Sequence, residues 1–322
     1  MRFIKGRHLI ILLFFLNVLS CSSGNSQFDD YIMDLDEYIS KKDSTYNNDS
    51  SDSVPDSSSI KPPIDVLERN RKVTFMQWNI GHFGYGAINT TINDNDYNAK
   101  LSAYQKLIDA VNADYVSLAE YNVLFANTNE KENNTANLLF SNYKYSFIGN
   151  EGKKRHYSLN AFFTNLSVSE SKMVEFECNQ TTTITHTNAI KATDYYYLTT
   201  KWNFIIEDQI TEVIIITTHF AFDNNNKEVA LDQARELINK YENEKYVIIC
   251  GDLNSSLASD LFKKAGYTTA NQGEWGNLYT YPSNSPRSCL DNIITKNLKI
   301  EDVRVIKTDL SDHLPIICSI CI

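Results

Sequence analysis

The sequence predicts an α/β fold in which two packed β-sheets are flanked by helices. Short runs of β-type residues recur from about residue 71 onward, whereas only two long segments in this part show helical periodicity. No internal repeat and no second linker interrupts it, so it is interpreted as one domain of about 250 residues. Two packed sheets with helices outside are the simplest layer arrangement of these elements.

The strand runs are short and rich in β-branched, aliphatic and aromatic residues, which fit a half-buried pleated surface. In chain order they are VTFMQWN at 73–79, DYVSLAE at 114–120, YSFIG at 145–149, LNAFFT at 159–164, YYYLTTKWNFII at 195–206, EVIIITTHF at 212–220, YVIICGD at 246–252, LDNIIT at 290–295 and LPIICSI at 314–320. Their spacing is too irregular for a strict barrel repeat. Cys250 and Cys318 lie inside two of the aliphatic runs and are predicted to be core residues.

Two segments, 99–112 and 228–241, have apolar residues at helical spacing. The repeating positions of the first are Leu101, Tyr104, Leu107, Ile108 and Val111, and those of the second are Val229, Leu231, Ala234 and Leu237. Each segment is predicted to be a helix with one apolar face against a sheet.

The N-terminus is predicted to be a lipoprotein signal peptide that spans residues 1–21. Three basic residues precede an apolar run over 9–18 that is too short to cross a bilayer comfortably. The run ends in VLSC, which resembles a bacterial lipobox and predicts lipidation of Cys21. A plain signal peptide or an uncleaved anchor has the same general pattern. The expected location is the outer membrane, with surface exposure as one option.

Residues 22–70 are predicted to be a disordered acidic tether, and residues 71–322 the catalytic domain. The tether is rich in Ser, Asp and Asn and has few apolar residues with which to build a core. The formal net charge of the chain is −10, and no basic stripe is visible. This weakens the case for a nucleic-acid substrate but does not exclude one.

Polar side chains stand where the strand-like runs end. Asn79, Glu120, His219 and Asp252 each close such a run, and Asn254 follows two residues after Asp252. Each residue alone has an ordinary explanation as a turn former, a cap or a surface charge. Four runs that end in the same manner indicate instead that these groups meet at one edge of the sheets.

The C-terminal part adds three polar residues of the same kind. Asp291 opens the LDNIIT run, and Asp312 and His313 directly precede the last apolar run. Carboxylates with no thiolate suit Mg²⁺, Mn²⁺ or Ca²⁺ rather than structural zinc. A divalent cation would relieve the repulsion among these carboxylates, and phosphoryl chemistry needs one because it offsets charge on the phosphate oxygens.

The ordered motifs WN, AEY, TTH, GDLN, LDNI and SDHLP resemble the endonuclease/exonuclease/phosphatase superfamily, which has the deoxyribonuclease-I-like fold. The resemblance extends from about Val73 to the C-terminus. It implies a four-layer α/β/β/α sandwich in which both sheets are mainly antiparallel. It also assigns metal roles to three residues: Glu120 would hold the main ion, Asn79 would lie beside it, and Asp312 would support the site. Mg²⁺ or Mn²⁺ is the expected ion, with Ca²⁺ as a third option.

The resemblance assigns the chemistry to five further residues. Asp252 would orient or deprotonate the attacking water, and Asn254 would contact the phosphate. Asp291 would pair with His313 in a dyad that contacts the phosphate or transfers a proton. His219 would be a second histidine that faces the phosphate.

Two other features concern substrate contact and subfamily. Arg155, His156 and Asn160 are candidate substrate-binding residues, although the KKRH run that contains the first two is also typical of a solvated loop. Many relatives carry Arg-x-x-Gln on the helix after the TTH motif. Here Gln233 fits that pattern, but Ala230 stands in place of the arginine, so the subfamily is left open.

The expected function is metal-dependent hydrolysis of phosphodiesters at the bacterial envelope, with nucleic acid as the leading substrate. A phosphomonoesterase and an enzyme similar to sphingomyelinases or inositol phosphatases are alternatives within the superfamily. A surface binding module that has lost catalysis is a third alternative, and the full set of carboxylates argues against it. The expected partners are the phosphate-ester substrate and, through the lipid anchor, a membrane, and a monomer is expected.

Overall fold

The computed structural model describes residues 32–45, 64–84, 94–122, 139–149, 159–180, 195–222 and 228–322. The strands in these ranges are β1 (Ile32–Asp34), β2 (Asp65–Val66), β3 (Lys72–Asn79), β4 (Tyr115–Tyr121), β5 (Tyr145–Ile148), β6 (Leu159–Thr164), β7 (Val168–Glu175), β8 (Tyr196–Ile206), β9 (Gln209–His219), β10 (Val247–Asp252), β11 (Thr268–Thr269), β12 (Asp291–Lys296), β13 (Lys299–Lys307) and β14 (Ile316–Cys321). The α-helices are α1 (Leu35–Thr45), α2 (Asp94–Val111), α3 (Glu228–Lys240) and α4 (Ser256–Lys264), and short 3₁₀ turns span Gly81–Gly84 and Glu177–Gln180. None of the described helices is long and apolar enough to span a membrane.

The described strands form two seven-stranded mixed sheets. The first sheet has the order β1-β13-β14-β3-β4-β6-β5, and the second has the order β11-β12-β10-β9-β8-β2 with β7 paired to β8. Antiparallel pairings dominate, but β3 and β4 run parallel in the first sheet, as do β9 and β10 in the second. The prediction of two packed, mainly antiparallel sheets is confirmed.

Three apolar clusters hold the layers together. The cluster between the sheets includes Phe75, Tyr115, Trp202, Ile215 and Ile293, with Cys250 and Cys318 among its buried members. A second cluster packs α2 on the outer face of the first sheet through Tyr104, Leu107 and Trp78. A third packs α3 and α4 on the outer face of the second sheet through Leu237, Phe262 and Ile249. The arrangement is the predicted α/β/β/α sandwich. No disulfide forms among the five cysteines of the described residues.

The structure differs from the sequence expectation in the segment predicted to be a disordered tether. Residues 32–45 form β1 and α1, and β1 pairs in parallel with the edge strand β13, placing Met33 opposite Ile306. Met33 is only 2% exposed, and Leu35 and Tyr38 pack against the cluster beneath α2. These few apolar residues suffice because they join a core that already exists. The signal peptide and Cys21 lie outside the described residues.

Candidate active site

The candidate site forms where strands of both sheets end. Register places Asp252 opposite His219 on the parallel neighbour β9 and opposite Asp291 on the antiparallel neighbour β12. Asn79 closes β3 of the first sheet, and His313 lies three residues before β14 of the same sheet. The site therefore lies at one end of the sandwich and takes side chains from both layers.

Asp252 is the centre of this arrangement. It is 1% exposed, and its Oδ2 accepts a hydrogen bond from Asn79 Nδ2 across the two sheets at 2.9 Å. Its Oδ1 accepts from the backbone N–H of Asn254 at 2.9 Å. The Nε2 atoms of His219 and His313 lie 3.6 and 3.7 Å from Asp252 Oδ2. These two distances exceed hydrogen-bond length, so the two imidazoles face the carboxylate without bonding to it.

Asp291 and His313 form the predicted dyad, with 2.8 Å between Asp291 Oδ2 and His313 Nδ1. Gln77 Nε2 lies 3.4 Å from the other carboxylate oxygen, and Ser117 Oγ donates to Gln77 Oε1 at 2.6 Å. Burial alone would lower the pKa of His313, but the charges of Asp291 and Asp252 raise it to about 10. Burial in turn raises the pKa of Asp291, against the opposing charge of His313. The dyad therefore holds a proton at neutral pH.

His219 is held by Asn254. The amide nitrogen Nδ2 of Asn254 lies 2.9 Å from His219 Nε2 and donates to the carbonyl of Phe220 at 2.9 Å. The amide of Asn254 therefore fixes the direction of the His219 ring. The following loop is fixed by Gln233, whose Oε1 accepts from the backbone N–H of Ala221 at 2.7 Å.

Glu120 lies beside this group and is paired with His82. Glu120 Oε2 is 3.0 Å from His82 Nε2. Burial alone would raise the pKa of Glu120, but the hydrogen bond from His82, the charges of His219 and His82, and a hydrogen bond from Asn79 lower it to about 2. The carboxylate is therefore ionised throughout the physiological range.

The donor set fits a hard divalent cation. Ligand atoms of Asp252, Asp291 and His313 all lie within 4.8 Å of one another. Protonated His313 already supplies a positive charge in this group. Glu120 is the more open carboxylate, with 26% of its side chain exposed, and Asp312 is also exposed. Oxygen ligands from carboxylates that reach solvent are what Mg²⁺, Mn²⁺ and Ca²⁺ take in proteins.

The three candidate substrate-binding residues are not among the described side chains that meet at the site. Arg155 and His156 lie outside the described residues. Asn160 is buried on β6, where its Nδ2 donates to the carbonyl of Tyr196 at 2.8 Å and its backbone N–H donates to the Tyr196 hydroxyl at 3.0 Å. These contacts join the two sheets, and a role in substrate binding stays a prediction.

The structure brings in residues that sequence reasoning did not select. The ring of Tyr281 packs on His313 with 4.7 Å between centroids. Ser311 Oγ donates to the carbonyl of Asn79 at 2.7 Å, and Gln77 supports Asp291 from the opposite sheet. No pattern marks these residues, because their roles depend on contacts between distant segments. His82 is different, because its place in the Gly-rich GHFG sequence after the first strand could have drawn attention to it. That sequence does not indicate which role His82 has.

The fold and the site define a class of hydrolases that act on phosphate esters, and solved structures of that class share the architecture. Humanized TDP2 from D. rerio has a TM-score of 0.55 at 15% identity and covers 77% of this chain and 98% of its own. The human Nocturnin catalytic domain with bound sulfate anion has a TM-score of 0.56 at 17% identity and covers 81% and 99%. An endonuclease/exonuclease/phosphatase from Bacteroides vulgatus has a TM-score of 0.54 at 14% identity and covers 78% and 98%. At these identities the likeness shows the fold alone.

Residues 76–313 match the model of the Endonuclease/Exonuclease/phosphatase family, and the chain belongs to that family. A comparison with curated protein sequences gives no match.

Proposed function

We propose that the protein is a metal-dependent phosphodiesterase whose leading substrate is a nucleic acid. The observation that carries this proposal is the pair of imidazole Nε2 atoms that face Asp252 Oδ2 at 3.6 and 3.7 Å. Two histidines around one carboxylate provide separate groups for the attacking water and for the leaving oxygen. Separate groups matter most when the leaving group is a poor one such as an alkoxide.

Asp252 is the group that orients or deprotonates the attacking water. Its carboxylate is held at both oxygens, by Asn79 Nδ2 and by the backbone of Asn254, so its direction is set before substrate arrives. Preorganisation of this kind lowers the barrier because no rearrangement is needed during the reaction.

His313 is the proton donor. The proton of the dyad resides on an imidazole whose Nδ1 is fixed by Asp291 at 2.8 Å, which leaves Nε2 to meet a phosphate oxygen or the leaving oxygen. His219 faces the same position from the other side, and Asn254 holds its ring in place. A bound divalent cation would be held by Glu120 with Asp312, and it would offset negative charge on the phosphate.

The fold and the chemistry of the site favour nucleic acid as the substrate, whereas the net charge of the chain does not. One structural neighbour, TDP2 from D. rerio, is described in complex with single strand DNA product. The net charge of −10 opposes a long polyanion, but a divalent cation at the site would reduce this repulsion. Phospholipid and sugar-phosphate diesters share the chemistry and are the next candidates.

A hydrolysis panel tests the proposal. The protein is assayed with Mg²⁺ and with Mn²⁺ on plasmid DNA, RNA, bis-p-nitrophenyl phosphate, sphingomyelin and inositol phosphates, with Asp252→Asn as the control. We expect cleavage of the model diester and of a nucleic acid, loss of activity in EDTA, and a fall in kcat of about 10² or more in the variant. Cleavage of phosphomonoesters alone would replace this assignment with a phosphatase, and full activity in Asp252→Asn would mean that the site is wrong.

We also propose attachment to the bacterial envelope through a lipid on Cys21, which the VLSC motif supports. Because Ile32 begins β1, ten residues separate the anchor at Cys21 from the folded body. The eleven residue-to-residue steps from Cys21 to Ile32 span at most about 40 Å. The catalytic domain would therefore work close to the membrane surface.

A further inference from the structure

The backbone that carries His82 is held in a conformation that side chains rarely adopt. Gly81, His82 and Phe83 have φ angles of 52°, 53° and 63° in succession. Glu120, which His82 contacts, also has a positive φ of 54°. Left-handed non-glycine residues are strained and persist where the surrounding structure enforces them, often at functional sites.

Contacts on both sides of His82 enforce this conformation. Before it, the backbone N–H of Gly81 donates to Asn79 Oδ1 at 3.0 Å, and a Cβ on Gly81 would come within 3.0 Å of Asp312 Oδ1. After it, the ring of Phe83 is fully buried and packs on Tyr104 at a centroid distance of 5.2 Å. The turn is therefore built to hold His82 in one direction, toward Glu120.

The distance between His82 Nε2 and Glu120 Oε2 matches the spacing of two ligands on one metal ion. Two neighbouring ligands of an octahedral ion, each bound at about 2.1 Å, are about 3.0 Å apart. His82 Nε2 and Glu120 Oε2 are separated by 3.0 Å. One ion could therefore take both atoms as neighbouring ligands, in place of the hydrogen bond that joins them here. The side chains of His82 and Glu120 are 14% and 26% exposed, so neither is fully sealed from solvent.

We propose that His82 is a nitrogen ligand of the metal ion bound at Glu120, and that it biases the site toward a first-row transition dication over Mg²⁺ and Ca²⁺. Imidazole adds affinity for transition ions in the Irving–Williams order, whereas Mg²⁺ and Ca²⁺ prefer oxygen ligands. This inference rests on the proposed metal dependence of the enzyme and specifies which ion it selects. The structural alternative is that His82 only neutralises Glu120 and never binds the ion.

Mn²⁺ bound to the full-length protein provides the test, because electron spin echo spectroscopy detects a directly bound nitrogen. We expect ¹⁴N modulation on wild-type Mn²⁺, its change when the histidines are ¹⁵N-labelled, and its loss in His82→Asn. Asparagine is chosen because it tolerates a left-handed backbone better than most residues. Calorimetry should show Mn²⁺ affinity falling about tenfold or more, with Mg²⁺ affinity changed less than about threefold. His219→Asn is the matched control and should retain the modulation.

The outcomes separate this inference from the proposed function. If the wild-type protein binds neither Mn²⁺ nor Mg²⁺, metal dependence itself is refuted. If Mn²⁺ binds but the modulation persists in His82→Asn, or is lost in His219→Asn instead, His82 is not the ligand. Should His82→Asn fail to fold, the labelled wild-type protein still decides together with asparagine variants of the other five histidines, His8, His156, His186, His219 and His313. Absence of the ¹⁵N effect, or its loss in any of those five variants, overturns the assignment, and its persistence in all five leaves His82 as the ligand.

Discussion

Gly251 lies on β10, directly before Asp252 and against β9, which carries His219. Replacing it with alanine should disturb the site without removing any candidate catalytic group. Gly251 pairs with Thr218 on β9, one position before the pair formed by Asp252 and His219. A Cβ at this position would lie 2.6 Å from both Cγ2 and the carbonyl oxygen of Thr218, whereas ordinary contact begins at 3.4 Å. The strands must therefore separate locally by about 0.8 Å, the difference between these distances.

The energetic cost follows from that displacement. Overpacking of this kind costs about 1–3 kcal/mol, and weakening one ladder hydrogen bond adds about 1 kcal/mol. A total of about 2–4 kcal/mol lowers Tm by about 5–15 °C in a domain of this size, so the protein should still fold. A shift of roughly 1 Å between reacting groups can cost about 10² in rate. We therefore expect kcat to fall at least about tenfold.

Gly266→Ala is the matched control. Gly266 has φ +86°, and an added Cβ meets no atom within 4 Å, so the cost there is backbone strain of about 1 kcal/mol with kcat unchanged. The two variants are compared by thermal unfolding and by steady-state hydrolysis of bis-p-nitrophenyl phosphate. The reasoning is refuted if Gly251→Ala keeps wild-type kcat, or if both glycine variants lose activity equally.

Three further predictions concern the metal, the N-terminal segment and the location. Glu120→Ala should raise the metal concentration needed for half-maximal activity more than it lowers kcat at saturating metal, and a metal titration of activity checks this. Deleting residues 22–45 should lower stability to urea by about 2–4 kcal/mol, because it exposes the site of Met33 and the edge of β13, whereas deleting 22–31 should not. Cys21→Ser should move the protein from the membrane fraction to the soluble fraction, and unchanged membrane association on fractionation would refute lipidation there.

The strands that line the site could be predicted because each combines a buried aliphatic run with a polar residue at its end. Sequence order predicts that Asp252 and Asp291 share one site, and the structure makes them register partners across β10 and β12. The same logic does not reach β13, whose KIEDVRVIK sequence mixes charged and apolar residues around a bulge. An amphipathic run with that irregularity shows no clean period of two.

Local sequence patterns do not predict other parts of the structure. The acidic composition of the segment predicts disorder where the structure has β1 and α1. A composition average does not detect that Met33 is buried where β1 pairs with the edge strand β13. The support that Gln77 gives to Asp291 spans 214 residues of sequence. The contact between the rings of Tyr281 and His313 also depends on tertiary packing. Such contacts leave no signal in one sequence.

Two hydrogen bonds join the candidate catalytic groups across the interface of the two sheets. Asn79 of the first sheet holds Asp252 of the second at 2.9 Å, and Asp291 of the second holds His313 next to the first at 2.8 Å. Sliding of one sheet over the other by an ångström would therefore break the site while every strand remained intact. Since such sub-global motions need less free energy than unfolding, turnover should decline at urea concentrations at which circular dichroism still records a folded sandwich.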